Sequence, residues 1–447
     1  MYWFLSKDVN VKLLILFFAC VWSGISHSLA AERPSIILLT ADTLRVDHLG
    51  CYGYPHPISP ALDRLSHQSI LFVDAVTCIG KTGPAFASLF TSQFPPSTGA
   101  RRNSMRLRPD YTSMAEMIRE KGYSTAAILS NWTLKDKLCG LKRGFDYYDN
   151  NLPKVRHFPM FRERSAERVT KVAIEWLNTN RNQPFFAWIH YSDPHSPYEF
   201  HRDFPVELTE YNARAPGDDK RRRYASEVRY MDYWIGQLLI YLSDHVNMEN
   251  TLVIFTSDHG ESLGEQGCWG HGKNVYQANL KIPLFIVDLE RHKPILDRFP
   301  ASIVDIMPTI LNRLQIESEG CKMMGINLLQ YPRDRSVAAP IRYAFSDRGV
   351  NLATNIAQRY KKPVSMCRIS QDTKIIKNFS NDSWEYYYLD VDPNETISRI
   401  MSPPENFEAL KIRLDTWYEK IPKFDGQPKN KLSDVDIDQL KSLGYIQ

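Results

Sequence analysis

A chain of 447 residues that is 43% hydrophobic and 24% charged can bury a sizeable core, which excludes a disordered polypeptide and allows two or three domains. Its 55 Lys and Arg residues against 51 Asp and Glu residues leave a formal charge of +4, too small and too dispersed for a nucleic-acid binder. The one cationic run, Lys220-Arg221-Arg222-Arg223, directly follows Asp218-Asp219 and reads as a solvated loop or helix start.

At the N-terminus, Lys7 and Lys12 precede the uncharged stretch Leu13 to Ala31, whose strongly apolar part stops near Ile25. That is short of the ~20 residues a membrane span needs. Ser28-Leu29-Ala30 fits a small-residue cleavage site, so residues 1–30 are expected to form a secretory signal peptide, with an uncleaved membrane anchor as the alternative. The expectation is an exported protein, periplasmic or secreted, that meets a membrane only if this segment is retained. Cys51, Cys78, Cys139, Cys268, Cys321 and Cys367 lie beyond it. Export permits disulfides, but no Cys-x-x-Cys pair occurs, which argues against a zinc site built on thiolates.

Further along, apolar runs of strand length alternate with longer helical patterns. Ser35 to Ala41, Ser124 to Ser130, Phe185 to Tyr191, Thr251 to Ser257 and Pro283 to Asp288 are predicted strands. Ser113 to Lys121, Ser165 to Asn178 and Glu227 to Ser243 are predicted helices. The alternation implies a largely parallel sheet with helices on both faces, occupying residues 31–340. From about Pro340 short runs such as "DTKIIKN" and "WEYYYLD" predict a smaller antiparallel subdomain over 341–447.

In open α/β sheets ligands gather beyond the carboxyl ends of strands. The residues there are polar: Asp42 after "SIILLTA", Asn131, the Asp193-Pro194-His195 group, and Asp258-His259 after "TLVIFTS". Two strands that each deliver a carboxylate, one with an adjoining imidazole, make a divalent-metal arrangement of hard oxygen and nitrogen donors. Either aspartate alone would more commonly cap its own turn. The glycine-rich segment "HGESLGEQGCWGHGK", which brings His271 and Lys273, favours the site, because such a loop is costly to order without something to bind.

These segments resemble the sulfatase family of the alkaline phosphatase superfamily. "IILLTADTLRVDHLGCYGYPHPISPALDRLSHQSILFVDAVT" is similar to its opening and "TSDHGESLGEQGCWGHGKNVYQANLKIPLFI" to its second metal segment; "GFDYYDN" and "HYSDPHSPY" between them and "YYYLDVDPNET" and "LKSLGYIQ" after them are further matches, all in family order. The resemblance implies an alkaline-phosphatase-like α/β sandwich with a large mixed, mostly parallel sheet and a small C-terminal antiparallel subdomain. It also implies one divalent cation, Ca²⁺, Mg²⁺ or Mn²⁺, held by Asp42, Asp258, His259 and the hydroxyl of Thr82. Family members with a Cys-x-Pro-Ser-Arg motif oxidise that cysteine to formylglycine. Here Thr82-Gly83-Pro84-Ala85-Phe86 occupies the frame, Phe86 replaces the arginine, and Thr43 replaces the second aspartate of the usual pair. Cys78 lacks the proline two residues on and does not fit.

The departures resemble the threonine-nucleophile branch, in which Thr82 attacks a phosphorus or sulfur centre; Thr82 also suits an N-cap, and the two roles are compatible. By the same resemblance His271 and Lys273 contact the anion, His195 donates a proton to the leaving oxygen, and Asn131 and Lys81 are substrate-binding candidates. The expected function is hydrolysis of a sulfate or phosphate ester, phosphoester favoured, on a small molecule, glycan or lipid. A transferase passing a phospho-alcohol group and a non-catalytic binding homologue are the alternatives.

Overall fold

The computed structural model describes residues 33–424 except 153–162, 207–215, 291, 319, 332–339, 348–362 and 371, together with 433, 434, 437 and 438. The expected signal peptide and the terminal "LKSLGYIQ" lie outside the described residues. The main sheet has eight strands: β1 (Ser35–Ala41), β2 (Ile70–Phe72), β3 (Ser124–Leu129), β4 (Tyr147–Asp149), β5 (Phe185–Tyr191), β6 (Thr251–Ser257), β7 (Leu284–Val287) and β8 (Ile295–Asp297). Their spatial order is β8-β2-β7-β6-β1-β5-β3-β4. Strand β1 runs parallel to both β5 and β6, while β7 is antiparallel to β6 and to β2, which makes the sheet mixed.

The central strands read as unbroken apolar runs because both faces are covered. Successive residues of β1 separate accordingly. Ile36 and Leu38 join a core with Phe86, Phe90 and Trp188, whereas Ile37, Leu39 and Ala41 join one with Val169, Val228 and Ile235. Helices α1 (Pro60–Ser66), α4 (Ala166–Asn180) and α5 (Pro216–His245) pack on this second face. On the first lie α2 (Thr82–Thr91), α3 (Met114–Glu120), α6 (Ile306–Arg313) and α7 (Phe407–Lys420). Helix α3 starts in a capping box, Ser113 Oγ accepting from Glu116 N while Glu116 Oε2 accepts from Ser113 N. The C-terminal sheet is antiparallel and sequential: β9 (Arg342–Ser346), β10 (Ser365–Ile369), β11 (Thr373–Asn378) and β12 (Ser383–Tyr388). No described helix is long and apolar enough to cross a membrane, and the six described cysteines are free thiols.

Candidate active site

Strands β1 and β6 are neighbours in register, Ala41 beside Ser257, so their next residues emerge together at one edge of the sheet. Those residues are Asp42 and Asp258, both wholly buried, followed by the equally buried His259. One ligand atom from each lies within 4.8 Å of the others, the single such grouping of His, Cys, Asp and Glu among the described residues. His259 Nε2 is 3.3 Å from Asp258 Oδ2 and 3.8 Å from Asp42 Oδ1. The same two oxygens have no hydrogen-bond partner. His259 Nδ1 is 2.9 Å from Gly260 O, and since a carbonyl only accepts, Nδ1 carries the proton and Nε2 turns its lone pair toward the carboxylates. Burial pushes both aspartates above the usual carboxylate range, Asp42 further because Asp258 and Glu163 add like charge. Two open carboxylate oxygens and an imidazole lone pair are the donor set of a divalent cation, and these residues fit one.

Thr82 opens α2 on the facing side, its Oγ1 3.5 Å from His259 Nε2. Lys81, not Thr82, is the N-cap residue, in extended conformation, and its carbonyl accepts from Ala85 N at 2.9 Å. The helix mouth is less open than an uncapped N-terminus. Gly83 N donates to Asn103 Oδ1 at 3.0 Å, Pro84 has no N–H, and the Thr82 N–H is left unbonded within the described residues. Phe86, in the place of the family's arginine, packs at 4.8 Å on Trp188 and 5.0 Å on His190, so the floor beneath Thr82 is aromatic. Thr43, in the place of the second aspartate, donates its N–H to Asp258 Oδ1 at 3.2 Å from a left-handed backbone (φ 54°).

The remaining predicted residues divide. His195 and His271 enter the same cavity, their rings 5.2 Å apart and that of His271 4.5 Å from His259. Burial holds both rings neutral in the free protein, reinforced at His195 by His271 and His259 and at His271 by His259, Lys81 and Lys273. Lys81 is nearly buried, and burial lowers its ammonium to about 8, with Arg102 and Lys273 lowering it and Asp347 opposing. Its stem runs along Gly272, where a Cβ would sit 3.0 Å from Lys81 Cγ and Cε; only glycine passes, and its φ is +76°. Lys273 is exposed at the rim. Asn131 is placed behind Asp42: its Nδ2 donates to Asp42 Oδ2, and its Oδ1 accepts from Thr133 N and Oγ1 at 2.7 and 2.6 Å.

Three contributors escaped the sequence reading. Glu261 is fully buried, 3.3 Å from His271 Nδ1, and burial raises its carboxyl to about 7. It stands three residues after Asp258 inside the glycine-rich segment, and that position is the signal that marks it. Glu163, 3.8 Å from His195 Nδ1, and Asn103 on Gly83 N sit in stretches with no pattern that marks them.

A family model described as Sulfatase matches residues 34–316, well over half of the chain. The chain belongs to the sulfatase family. Among curated relatives, an ulvan-active sulfatase of Formosa agariphila is 26% identical over 323 residues, covering 64% of this sulfatase-family chain and 62% of its own. The chain thus matches less than two thirds of that relative's length. A protein solved in complex with its substrate D-glucosamine-2-N,6-O-disulfate superposes with a TM-score of 0.71 at 19% identity, over 90% of this chain and 100% of that one. The phosphonate monoester hydrolase of Agrobacterium radiobacter gives 0.68 at 18% identity, over 87% and 95%. Both structures share the α/β fold of this sulfatase-family member.

Proposed function

We propose that this protein is an exported, metal-dependent ester hydrolase of the sulfatase family whose nucleophile is Thr82 and whose preferred substrate is a phosphoester. The observation that carries the reading is Thr82 Oγ1 at a helix mouth, 3.5 Å from the lone-pair nitrogen of His259, beside two buried carboxylates with open oxygens. Asp42, Asp258, His259 and Thr82 Oγ1 are the holders of the cation, which when bound supplies charge neutralisation to the hydroxyl and to the ester oxygens.

The Thr82 hydroxyl releases its proton to water as Oγ1 forms a bond to phosphorus or sulfur, and the bond to the leaving oxygen breaks. His195, neutral in the free protein, takes a proton when the substrate anion enters beside it and hands that proton to the leaving oxygen, while His271 and Lys273 hold the anion's remaining oxygens. Water then attacks the Thr82 ester and regenerates the hydroxyl. This second step distinguishes the two ester classes. A formylglycine hydrate can expel sulfate by elimination through its second hydroxyl, whereas a threonine ester must be broken at phosphorus or sulfur. Phosphoryl groups tolerate such attack when positioning and electrostatics are supplied. Phe86 supports the departure from formylglycine chemistry, since it leaves an aromatic floor where the family motif has an arginine. Buried Cys78, its thiol pushed up to about 12, is inert.

The phosphonate monoester hydrolase with this fold supports phosphorus as the reacting centre. The ulvan-active relative and the neighbour that binds a disulfated glucosamine support a glycan as the alcohol. Purified protein with a divalent cation should turn over aryl phosphodiesters, phosphonate monoesters or phosphomonoesters faster than aryl sulfates, and mass spectrometry of a slow substrate should trap an adduct on Thr82. Turnover of sulfate esters alone, or an adduct on another residue, would overturn the reading.

A further inference from the structure

The motif "YYYLDVDPNET" lies outside the matched family region and has no part in the chemistry above, yet its next-to-last residue, Glu395, is a carboxylate that is 1% exposed. Glu395 Oε1 meets the buried Lys374 Nζ of β11 at 2.6 Å, and Oε2 accepts from Gln277 N at 2.5 Å. Gln277 opens the short helical turn Gln277–Leu280 that ends the loop carrying His271 and Lys273. Within that turn Asn279 Oδ1 accepts from Gly272 N at 3.0 Å, the amide between those two residues. Asn279 Nδ2 donates to Ser262 Oγ at 2.6 Å, and Gly260 N to Asn279 O at 2.9 Å, which ties the turn back to the residues after His259. A second attachment reaches the loop's far side: Gln266 Nε2 donates to Asn394 O at 2.6 Å and Glu395 O at 3.1 Å.

Both partners of this junction hold left-handed backbone without being glycine, Gln266 at φ 48° and Glu395 at φ 54°. Such conformations persist only where the surroundings over-determine them. At Glu395 the surroundings are a turn built by Asp392, whose O accepts from Glu395 N at 3.1 Å and whose carboxylate accepts from Thr396 N at 3.0 Å and Ile397 N at 2.9 Å.

We propose that Glu395 is a positioning residue for the reaction: through Gln277 N and Asn279 it sets the height of Gly272, and so of His271 and Lys273, above Thr82. The proposal rests on the anion-holding roles given to His271 and Lys273. It makes the C-terminal sheet part of the active site without any of its side chains touching substrate.

Two double variants isolate the acceptor from the ion pair: Lys374→Met with Glu395→Gln, which keeps an oxygen for Gln277 N, and Lys374→Met with Glu395→Leu, which does not. Hydrogen exchange should show the amides of Gly272 and Gln277 opening at least tenfold faster in the Leu variant and within threefold of the parent in the Gln variant, with β1 and β6 equally protected in all three. The Leu variant should lose at least tenfold in kcat with KM changed less, and the Gln variant should recover it. Equal exchange in both double variants, or faster exchange with kcat intact, would overturn the proposal. If the parent hydrolyses no ester, the reading of Thr82 falls, while exchange at Gly272 still decides whether Glu395 holds the loop. Should the Leu variant not fold, Gln266→Asn, which tolerates left-handed backbone and is too short to reach Asn394 O, is the substitute: faster exchange across 264–272 with a lower kcat sustains the proposal, and neither change refutes it.

Discussion

At the carboxyl ends of β1 and β6, Asp42 and Asp258 are wholly buried and, among the described residues, face His259 but no lysine or arginine, whereas two comparably buried carboxylates near the C-terminal sheet each meet one. Glu395 lies 2.6 Å from Lys374, and Asp305 lies 2.7 Å from Arg342. Burying a charge is costly unless it is paired, so the second arrangement is self-sufficient and the first is not. Burial raises both aspartates, and the charge of Asp258 raises Asp42 further. The fold thus leaves electrostatic cost standing at this sheet edge, and a divalent cation bound there would remove it.

The largest effect should come from the hydroxyl the uncompensated edge serves. Thr82→Ala is expected to lower kcat by roughly 10⁴-fold or more, the scale seen when a covalent nucleophile is removed, while thermal unfolding stays close to the parent's. Thr82→Ser should keep measurable turnover. Parental activity in the alanine variant would remove the nucleophile from the scheme and leave the cluster as a bare cation site.

Next in size is the compensated pair. Lys374→Met strands Glu395 and should destabilise the protein by about 3–5 kcal/mol in denaturant unfolding, because a buried charge loses its partner. Asp258→Asn in metal-free buffer should do the reverse, leaving stability unchanged or raising it by about 1 kcal/mol, since it removes one of two facing charges. If the two substitutions cost the same, the contrast between the regions is wrong.

Metal linkage gives a smaller shift with its own control. A divalent ion at a hundredfold its Kd should stabilise the chelator-treated parent by about 2.7 kcal/mol and restore activity, and should leave Asp258→Asn unmoved. Stabilisation of both proteins alike would put the ion elsewhere.

The uncompensated edge was legible in the sequence because strand endings are. Ser35–Ala41, Phe185–Tyr191 and Thr251–Ser257 form over the predicted residues, which places Asp42 and Asp258 just past two strand ends; the parallel pairing of those strands brings them to one edge. Predicted Pro283 to Asp288 shortens to Leu284–Val287 and runs antiparallel, a direction that apolar patterning does not encode. Predicted Glu227 to Ser243 is part of a helix spanning Pro216–His245, because the charged turn at Asp218 to Arg223 pairs within itself: Arg221 with Asp218 at 2.9 Å and Arg223 with Asp219 at 2.7 Å. The surroundings of the site were less visible. Asn131 reads as a polar residue after a strand whether it faces substrate or braces Asp42, and Glu163 and Glu395 reach their partners across long sequence separations that no local pattern records. Pairing across the fold is a tertiary property, and it is what separates the costly carboxylates from the satisfied ones.

Asp232 stands between the two regions and gives the finest test. It is buried in α5, 1% exposed, and its two oxygens accept from Ala61 N at 2.9 Å and Leu62 N at 2.8 Å at the start of α1. Amide dipoles at a helix N-terminus compensate a carboxylate only in part, and burial raises Asp232 to about 7 against an ordinary 3.8. Between pH ~4 and ~7 the folded chain therefore keeps a proton that the unfolded chain has released, and raising the pH favours unfolding. This group's contribution is fully present below pH ~4 and is lost as the pH rises through 7. Asp232→Asn keeps one acceptor and cannot titrate, so its loss relative to the parent should be greatest near pH 4 and shrink by about 4 kcal/mol by pH 8. Depressed carboxylates such as Asp47 and Asp149 push the other way in both proteins and cancel in the difference. A stability gap that stays constant from pH 4 to 8 would show that two backbone amides compensate a buried carboxylate as fully as Lys374 does, and partial compensation would no longer distinguish Asp232 from Glu395.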